Sequence, residues 1–128
     1  MTHHNQICAE LKRRFTWESD GRLDSYHIMP ATGPVRGDCD DFAATILAEL
    51  TGRSWARFWW WLVSGKARFW LVIDPAGQRH VTLWVRGLGH TDNWRNAFSE
   101  TEDLHKPLRK VRWPEVLGKL LIGAFDKT

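Results

Sequence analysis

The chain has 128 residues, of which 43% are hydrophobic and 26% charged, with a formal net charge of +3 and a pI near 9.1. This length and composition predict one soluble globular domain over residues 1–128, large enough to build its own apolar core. The charge is too small to indicate nucleic-acid binding, and the two cysteines do not suggest a disulfide framework.

The N-terminus lacks the basic start and the apolar segment of a secretory signal. No run approaches the roughly 18 apolar residues that are needed to cross a bilayer. We therefore expect a cytoplasmic protein that does not associate with membranes.

A first amphipathic helix is predicted from about Asn5 to Phe15, where apolar residues recur at four-residue spacing. Cys8 lies beside this apolar stripe and is interpreted as a small core residue. The periodicity then stops, and glycines and prolines between Thr16 and Gly37 predict a long surface connection. Connections of this length commonly line a cleft.

The second predicted helix begins at a cysteine. Asp38 fits the N-cap, Cys39 takes the first helical position, and the following run is apolar at helical spacing. A thiol there lies at the positive end of the helix dipole, which favours the thiolate. Cys39 is therefore predicted to be the nucleophile of a Cys-His-Asp hydrolase or acyl transferase.

Apolar runs after this helix predict an antiparallel meander followed by a C-terminal helix. The expected elements are strands at Ala56–Val63, Arg68–Ile73 and His80–Val85, a fourth extended piece at Thr91–Trp94, and a helix from Pro114 to Phe125. The polar stretch from Ser99 to Arg112 is expected to be a loop or a short helix. This order of elements indicates an α+β fold.

A nucleophilic cysteine needs a base, and the base needs an orienting group. His80 is the predicted base because it opens a strand, which fixes its direction, and His90 in a glycine-flanked turn is its rival. His27 and His105 fall in irregular segments without a supporting pattern. Asp92 is the predicted orienting residue, because the next turn brings its segment back beside the strand that carries His80.

Three motifs in this order resemble the bacterial transglutaminase-like cysteine proteinases: Gly37-Asp38-Cys39-Asp40-Asp41-Phe42-Ala43, His80-Val81-Thr82-Leu83 and Thr91-Asp92-Asn93-Trp94. The resemblance covers roughly residues 16–94. It implies a papain-like or transglutaminase-like core, with the nucleophile at a helix N-terminus packed on an antiparallel β-meander. It also implies Cys39 as nucleophile, His80 as base and Asp92 as orienting residue. Relatives of this type are typically longer and exported, so the substrate does not follow.

The three aspartates around the cysteine have two interpretations. Asp38 and Asp41 fit an aspartate version of the helix capping box, but negative charge beside a thiol disfavours the thiolate. A calcium ion bound by Asp38, Asp40 and Asp41 would remove that conflict, because calcium prefers carboxylate ligands. Some members of the resembled family hold calcium near the corresponding residues. No cofactor is expected to be required.

Nine tryptophans are far above expectation for this length. In a strand, the run Trp59-Trp60-Trp61 would place neighbours on opposite faces, so at least one tryptophan would face away from the core. This predicts an exposed aromatic surface that could bind a protein partner. Interleaved basic residues resemble a nucleic-acid platform, but charges at strand ends explain them equally well, and nucleic acid is not the expected partner.

Together these features predict a thiol hydrolase that cleaves an amide bond in a protein or peptide through an acyl-thioester. Transglutaminase or deamidase chemistry uses the same intermediate and stays open, as does an inactive aromatic-basic binding module. The prediction requires a contact between the Cys39 sulfur and the His80 imidazole.

Overall fold

The computed structural model describes residues 2–17, 28–30, 32–94, 97–100 and 105–126. Within these ranges the chain is α+β, as predicted. Its elements in chain order are α1 (His3–Arg14), β1 (Phe15–Trp17), β2 (Val35–Gly37), α2 (Cys39–Leu50), α3 (Trp55–Val63), β3 (Ala67–Ile73), β4 (Arg79–Val85), β5 (Gly89–Thr91), β6 (Lys106–Val111) and α4 (Trp113–Asp126). The structure confirms the predicted α1, α2, β3, β4 and α4.

The main sheet is antiparallel, with the strand order β5-β4-β3-β6. β3 and β4 form a hairpin whose turn is closed by Asp74, since its Oδ1 accepts hydrogen bonds from the N–H groups of Ala76 and Gln78 at 3.0 and 2.9 Å. A separate parallel pair joins β1 to β2 and places Trp17 opposite Gly37. Because β4 has a neighbour on each side, the direction of its side chains is fixed.

Helix α2 is at the centre of the core. Residues 40–48 are all buried, and Phe42, Ile46 and Leu47 are fully excluded from solvent. The helix packs against α1 and against β4. Full burial of an apolar side chain of this size contributes about 1.5–3 kcal/mol. This packing holds the first residue of the helix, Cys39, at a fixed place beside β4.

The strand predicted over Ala56–Val63 is wrong, because these residues lie in helix α3. Ser54 caps this helix by accepting a hydrogen bond from its first turn at 3.3 Å. Phe58 and Leu62, four residues apart, are buried, whereas Trp60 between them is 67% exposed. An unbroken aromatic run hides the helical period and mimics a strand. Trp60 does face away from the core, as predicted for one tryptophan of the run, but the cause is the helical period and not the alternation of a strand.

The loop or short helix predicted over Ser99–Arg112 is also wrong, because this stretch contains β6, which pairs with β3 at the sheet edge. Residues 106–110 are all exposed and include Pro107, which edge strands tolerate. No alternation of apolar and polar residues therefore marks the strand. The register shifts between Leu71 and Val72 of β3, as at a β-bulge.

The fourth extended piece, predicted at Thr91–Trp94, is wrong except at Thr91, since β5 spans Gly89–Thr91 and a turn follows. Residues 18–27 and 31 of the predicted cleft connection, including His27, lie outside the described residues, as do residues 101–104. In the part of the chain that the structure covers, no helix has the length and apolar character needed to cross a membrane.

Cys8 is fully buried on α1, as predicted for a core residue, and its Sγ lies 3.4 Å from Thr91 Oγ1. Burial raises the pKa of this thiol from 9.0 to about 11, and the hydrogen bond with Thr91 partly opposes the shift. The folded chain therefore keeps this proton at a pH at which the unfolded chain releases it.

Replacing Cys8 by alanine should flatten the alkaline loss of stability. Because the folded pKa is raised, the stabilising contribution is complete below pH 9.0 and is lost as the pH rises toward 11. A shift of this size corresponds to about 3 kcal/mol. Urea denaturation at several alkaline pH values would measure the slope. The surface variant Glu10→Gln should keep the wild-type slope, and an unchanged slope in Cys8→Ala would contradict the expectation.

Candidate active site

A reciprocal capping box fixes the start of α2. Asp38 Oδ1 accepts hydrogen bonds from the N–H groups of Asp40 and Asp41 at 3.1 and 3.2 Å. In return, Asp41 Oδ2 accepts from the Asp38 N–H at 3.2 Å. Gly37 is required here, because a Cβ at this position would lie 2.6 Å from Asp41 Oδ2. Gly37, Asp38 and Asp41 therefore have a structural role, which is to place Cys39 at the first position of the helix.

Replacing Gly37 by alanine should push Asp41 off the Asp38 N–H and weaken the cap. We expect a loss of about 1 kcal/mol in the free energy of unfolding, the usual cost of a lost cap, measured by urea denaturation. Gly118→Ala in α4 is the matched control, because nothing lies within 4 Å of its Cβ position and alanine favours a helix. Equal effects of the two substitutions would contradict the role assigned to Gly37.

The first turn of α2 leaves one backbone donor available. The N–H groups of Asp40 and Asp41 bond the Asp38 side chain, and that of Phe42 bonds the Asp38 carbonyl at 3.1 Å. No described residue accepts a hydrogen bond from the Cys39 N–H. A donor at this position can stabilise an oxyanion that forms when the adjacent sulfur attacks a carbonyl.

Cys39 remains a thiol in this environment. Burial raises its pKa above the ordinary value for cysteine, and the Asp40 carboxylate raises it further. The thiol donates a hydrogen bond to Asp40 Oδ1 at 3.5 Å, whereas a backbone hydrogen bond from Val81 acts in the opposite direction. Burial and negative charge outweigh the helix dipole, so the helix start does not give the resting thiolate that its position favours.

Replacing Asp40 by asparagine should make Cys39 more reactive, because it removes a negative charge beside the sulfur. We expect alkylation by iodoacetamide near neutral pH to become roughly 3- to 10-fold faster, since one pKa unit is a tenfold change in thiolate. Mass spectrometry of the Cys39 peptide in a Cys8→Ala background would follow the rate. Asp40→Glu keeps the charge and should stay slow, and a wild-type rate in Asp40→Asn would contradict this account.

The structure brings the predicted base and orienting residue together. His80 on β4 and Asp92 after β5 are both buried, and His80 Nε2 lies 3.2 Å from Asp92 Oδ2. The antiparallel pairing of β4 with β5, which sets Leu83 opposite Thr91, produces this contact. The two atoms are within ion-pair distance, but they do not meet hydrogen-bond geometry, and Nε2 has no other partner among the described residues.

Sequence reasoning missed a third member of this cluster, His105. It directly precedes β6, its side chain is fully buried, and its Nε2 lies 2.8 Å from Asp92 Oδ2. The ring centroids of His80 and His105 are 4.7 Å apart. The only local signal is a histidine next to an exposed edge strand, so the contact depends on the pairing of β6 with β3.

Asp92 is held at both carboxylate oxygens. Oδ1 accepts a hydrogen bond from the Trp94 N–H at 2.8 Å, and Oδ2 faces the two histidines. The Trp94 ring centroid lies 5.2 Å from that of His105 and 5.9 Å from that of His80. The indole thus covers the cluster and limits its contact with water, which strengthens the electrostatic interactions inside.

Cys39 and His80 line one cavity of about 680 Å³, which Trp17 at the end of β1 also borders. The rival base His90 lines a different pocket. Since His80 Nε2 faces Asp92, Nδ1 is the nitrogen left for the thiol. Among the described residues, however, no hydrogen bond joins the Cys39 sulfur to His80. The structure therefore does not show the Cys39–His80 hydrogen bond on which the prediction depends.

Two groups of side chains are relevant to metal binding. Within the described ranges, only His80, Asp92 and His105 form a set of three His, Cys, Asp or Glu ligand atoms that all lie within 4.8 Å of one another. The hydrogen-bond geometry between His105 and Asp92 accounts for the contact of these two residues without an ion. The predicted calcium site stays a prediction. In this structure the capping box already engages side-chain oxygens of Asp38 and Asp41 in hydrogen bonds.

No protein-family model matches the chain, and no curated protein matches it either. The site is therefore interpreted from its own residues and their geometry.

Proposed function

We propose that this chain is a thiol hydrolase that cleaves an amide bond in a protein or peptide. Cys39 is the nucleophile, His80 the general base and acid, and Asp92 the residue that orients His80. Two observations support the proposal: His80 makes a buried 3.2 Å contact with Asp92, and His80 lines the same cavity as Cys39. Buried charged groups beside a cavity are costly and are typical of functional sites.

The arrangement of elements supports a papain-like or transglutaminase-like core. The cysteine begins α2, this helix packs on β4 of an antiparallel sheet, and the histidine and aspartate come from β4 and the end of β5. This is the order that the motif resemblance implies. The two free cysteines fit a reducing, cytoplasmic environment.

In the first half of the reaction, Cys39 Sγ attacks the amide carbon while its proton passes to His80 Nδ1. The new S–C bond leaves an oxyanion on the former carbonyl oxygen, to which the Cys39 N–H donates. Asp92 stabilises the imidazolium that forms on His80. The C–N bond then breaks as His80 gives its proton to the leaving amine, and an acyl-thioester remains.

In the second half, His80 takes a proton from water, and the resulting hydroxide attacks the thioester carbon. The S–C bond breaks, the acid product leaves, and His80 returns a proton to the Cys39 sulfur. Because the raised pKa holds Cys39 as a thiol, His80 must remove its proton during the attack and acts as a general base in that step. The mechanism is in this respect closer to that of a serine hydrolase.

The cavity fits a polypeptide better than an apolar ligand. Charged groups of both signs line it, among them Asp74, Arg79, Arg109, Glu115 and Lys119. A volume of about 680 Å³ is large enough for several groups of an extended chain. Polar groups of this kind can pair with peptide N–H and C=O groups along the substrate.

Replacing Cys39 by alanine should reduce peptide cleavage at least roughly 10³-fold, as expected for loss of a nucleophile. The measurement is mass spectrometry of a peptide library incubated with the protein. Cys8→Ala is the matched control, because Cys8 is buried on α1 and should leave the cleavage rate unchanged.

Three outcomes would redirect the proposal. Cleavage retained by Cys39→Ala, or labelling of Cys8 by a thiol-directed probe, would remove Cys39 as nucleophile. Incorporation of an added primary amine at glutamine would indicate transglutaminase chemistry, and conversion of glutamine to glutamate would indicate a deamidase. Tight partner binding without turnover, unaffected in Cys39→Ala, would indicate an inactive binding module.

A further inference from the structure

We infer that His105 is a positioning residue of this site: its Nε2–H holds the Asp92 carboxylate in the orientation from which Asp92 acts on His80. The inference rests on the proposed function and adds a fourth residue to the three that the sequence predicts. His105 would touch neither the substrate nor the sulfur, and would act through Asp92.

The two histidines contact the carboxylate differently. His105 Nε2 lies 2.8 Å from Asp92 Oδ2 with hydrogen-bond geometry, whereas His80 Nε2 lies 3.2 Å from the same oxygen without it. The Asp92–His105 hydrogen bond is thus complete in the free protein, and the Asp92–His80 contact is loose. His80 can adjust during a reaction only if the carboxylate beside it stays in place.

His105 and the Trp94 N–H each hold one oxygen of this carboxylate. The Trp94 N–H holds Oδ1 at 2.8 Å, and His105 holds Oδ2 at the same distance. Carboxylate torsions are soft, so a single hydrogen bond would leave the group free to rotate. With both oxygens engaged, the plane of the Asp92 carboxylate is set before substrate arrives, which is the condition for electrostatic preorganisation.

His105 also compensates for the loss of water. Asp92 is fully buried, and a buried carboxylate without hydrogen-bond donors is costly. An ionised Asp92 only accepts hydrogen bonds, so in the inferred arrangement His105 Nε2 is the donor across the 2.8 Å contact. Metal binding would instead require both Nε2 atoms to be unprotonated and aimed at one ion.

A pair of substitutions separates donation from packing. His105→Phe keeps a ring against Trp94 but has no N–H, whereas His105→Gln can place an amide N–H near the position of Nε2. We expect His105→Phe to lower kcat for peptide cleavage about 10- to 100-fold with little change in KM, the size of effect that misplacement of a catalytic group produces. His105→Gln should recover most of the wild-type kcat. The exposed-residue variant His3→Gln is the control and should match wild type.

A measurement on the unmodified protein covers the case in which His105→Phe does not fold, which thermal unfolding would reveal. Long-range ¹H–¹⁵N NMR correlations report which ring nitrogen carries the proton. We expect His105 to be protonated at Nε2, with a downfield proton that reflects its bond to Asp92. A neutral His105 protonated only at Nδ1 would overturn the inference.

Other outcomes distinguish this inference from the proposed function. If wild type cleaves peptides and depends on Cys39 while His105→Phe folds and matches it in kcat, His105 has no positioning role and the proposed function stands. If wild type cleaves no peptide, both fail. Stoichiometric Zn²⁺ binding in calorimetry that is lost in His105→Phe, with cleavage abolished by a chelator, would make His105 a metal ligand and overturn the positioning role.

Discussion

The buried carboxylate of Asp92 is the constraint on which the site depends. A fully buried carboxylate needs polar partners from the protein, and here they come from separate parts of the chain. His80 comes from an inner strand, the Trp94 N–H from the following turn, and His105 from the start of the edge strand. The cluster can therefore form only when all four strands of the main sheet are paired.

The burial of α2 has two opposite effects on Cys39. The same packing that fixes Cys39 beside β4 removes water from the sulfur and raises its pKa. The capping aspartates that define the helix start add negative charge in the same direction. Position and reactivity are thus in conflict at Cys39, and the proposed function resolves the conflict by assigning a base to His80.

The sequence was sufficient where the signals are local. The helix start at Gly37–Cys39 is predicted by the capping residues around it. The position of Asp92 beside His80 follows from a short turn between neighbouring strands. The aromatic run of α3 was predicted as a strand because its consecutive apolar residues hide the helical period. Ser54, which caps the helix, is the local signal that favours a helix.

His105 could not be found in this way. Its partner lies across the sheet, and β6 shows no apolar alternation, since its side chains point to solvent until Val111. The pairing of β6 with β3 is a non-local contact that depends on backbone hydrogen bonds rather than on a side-chain pattern. Functional residues at exposed sheet edges are therefore hidden from arguments that rest on periodicity.

The short parallel pair of β1 and β2 has a consequence for the connection between its strands. Trp17 pairs with Gly37, so the two ends of the intervening connection are held next to each other, two residues before Cys39. Lengthening a connection between fixed ends costs little free energy, because closure entropy grows only slowly with length. The connection can therefore change in length while the pair of β1 and β2 keeps the start of α2, and with it Cys39, in place.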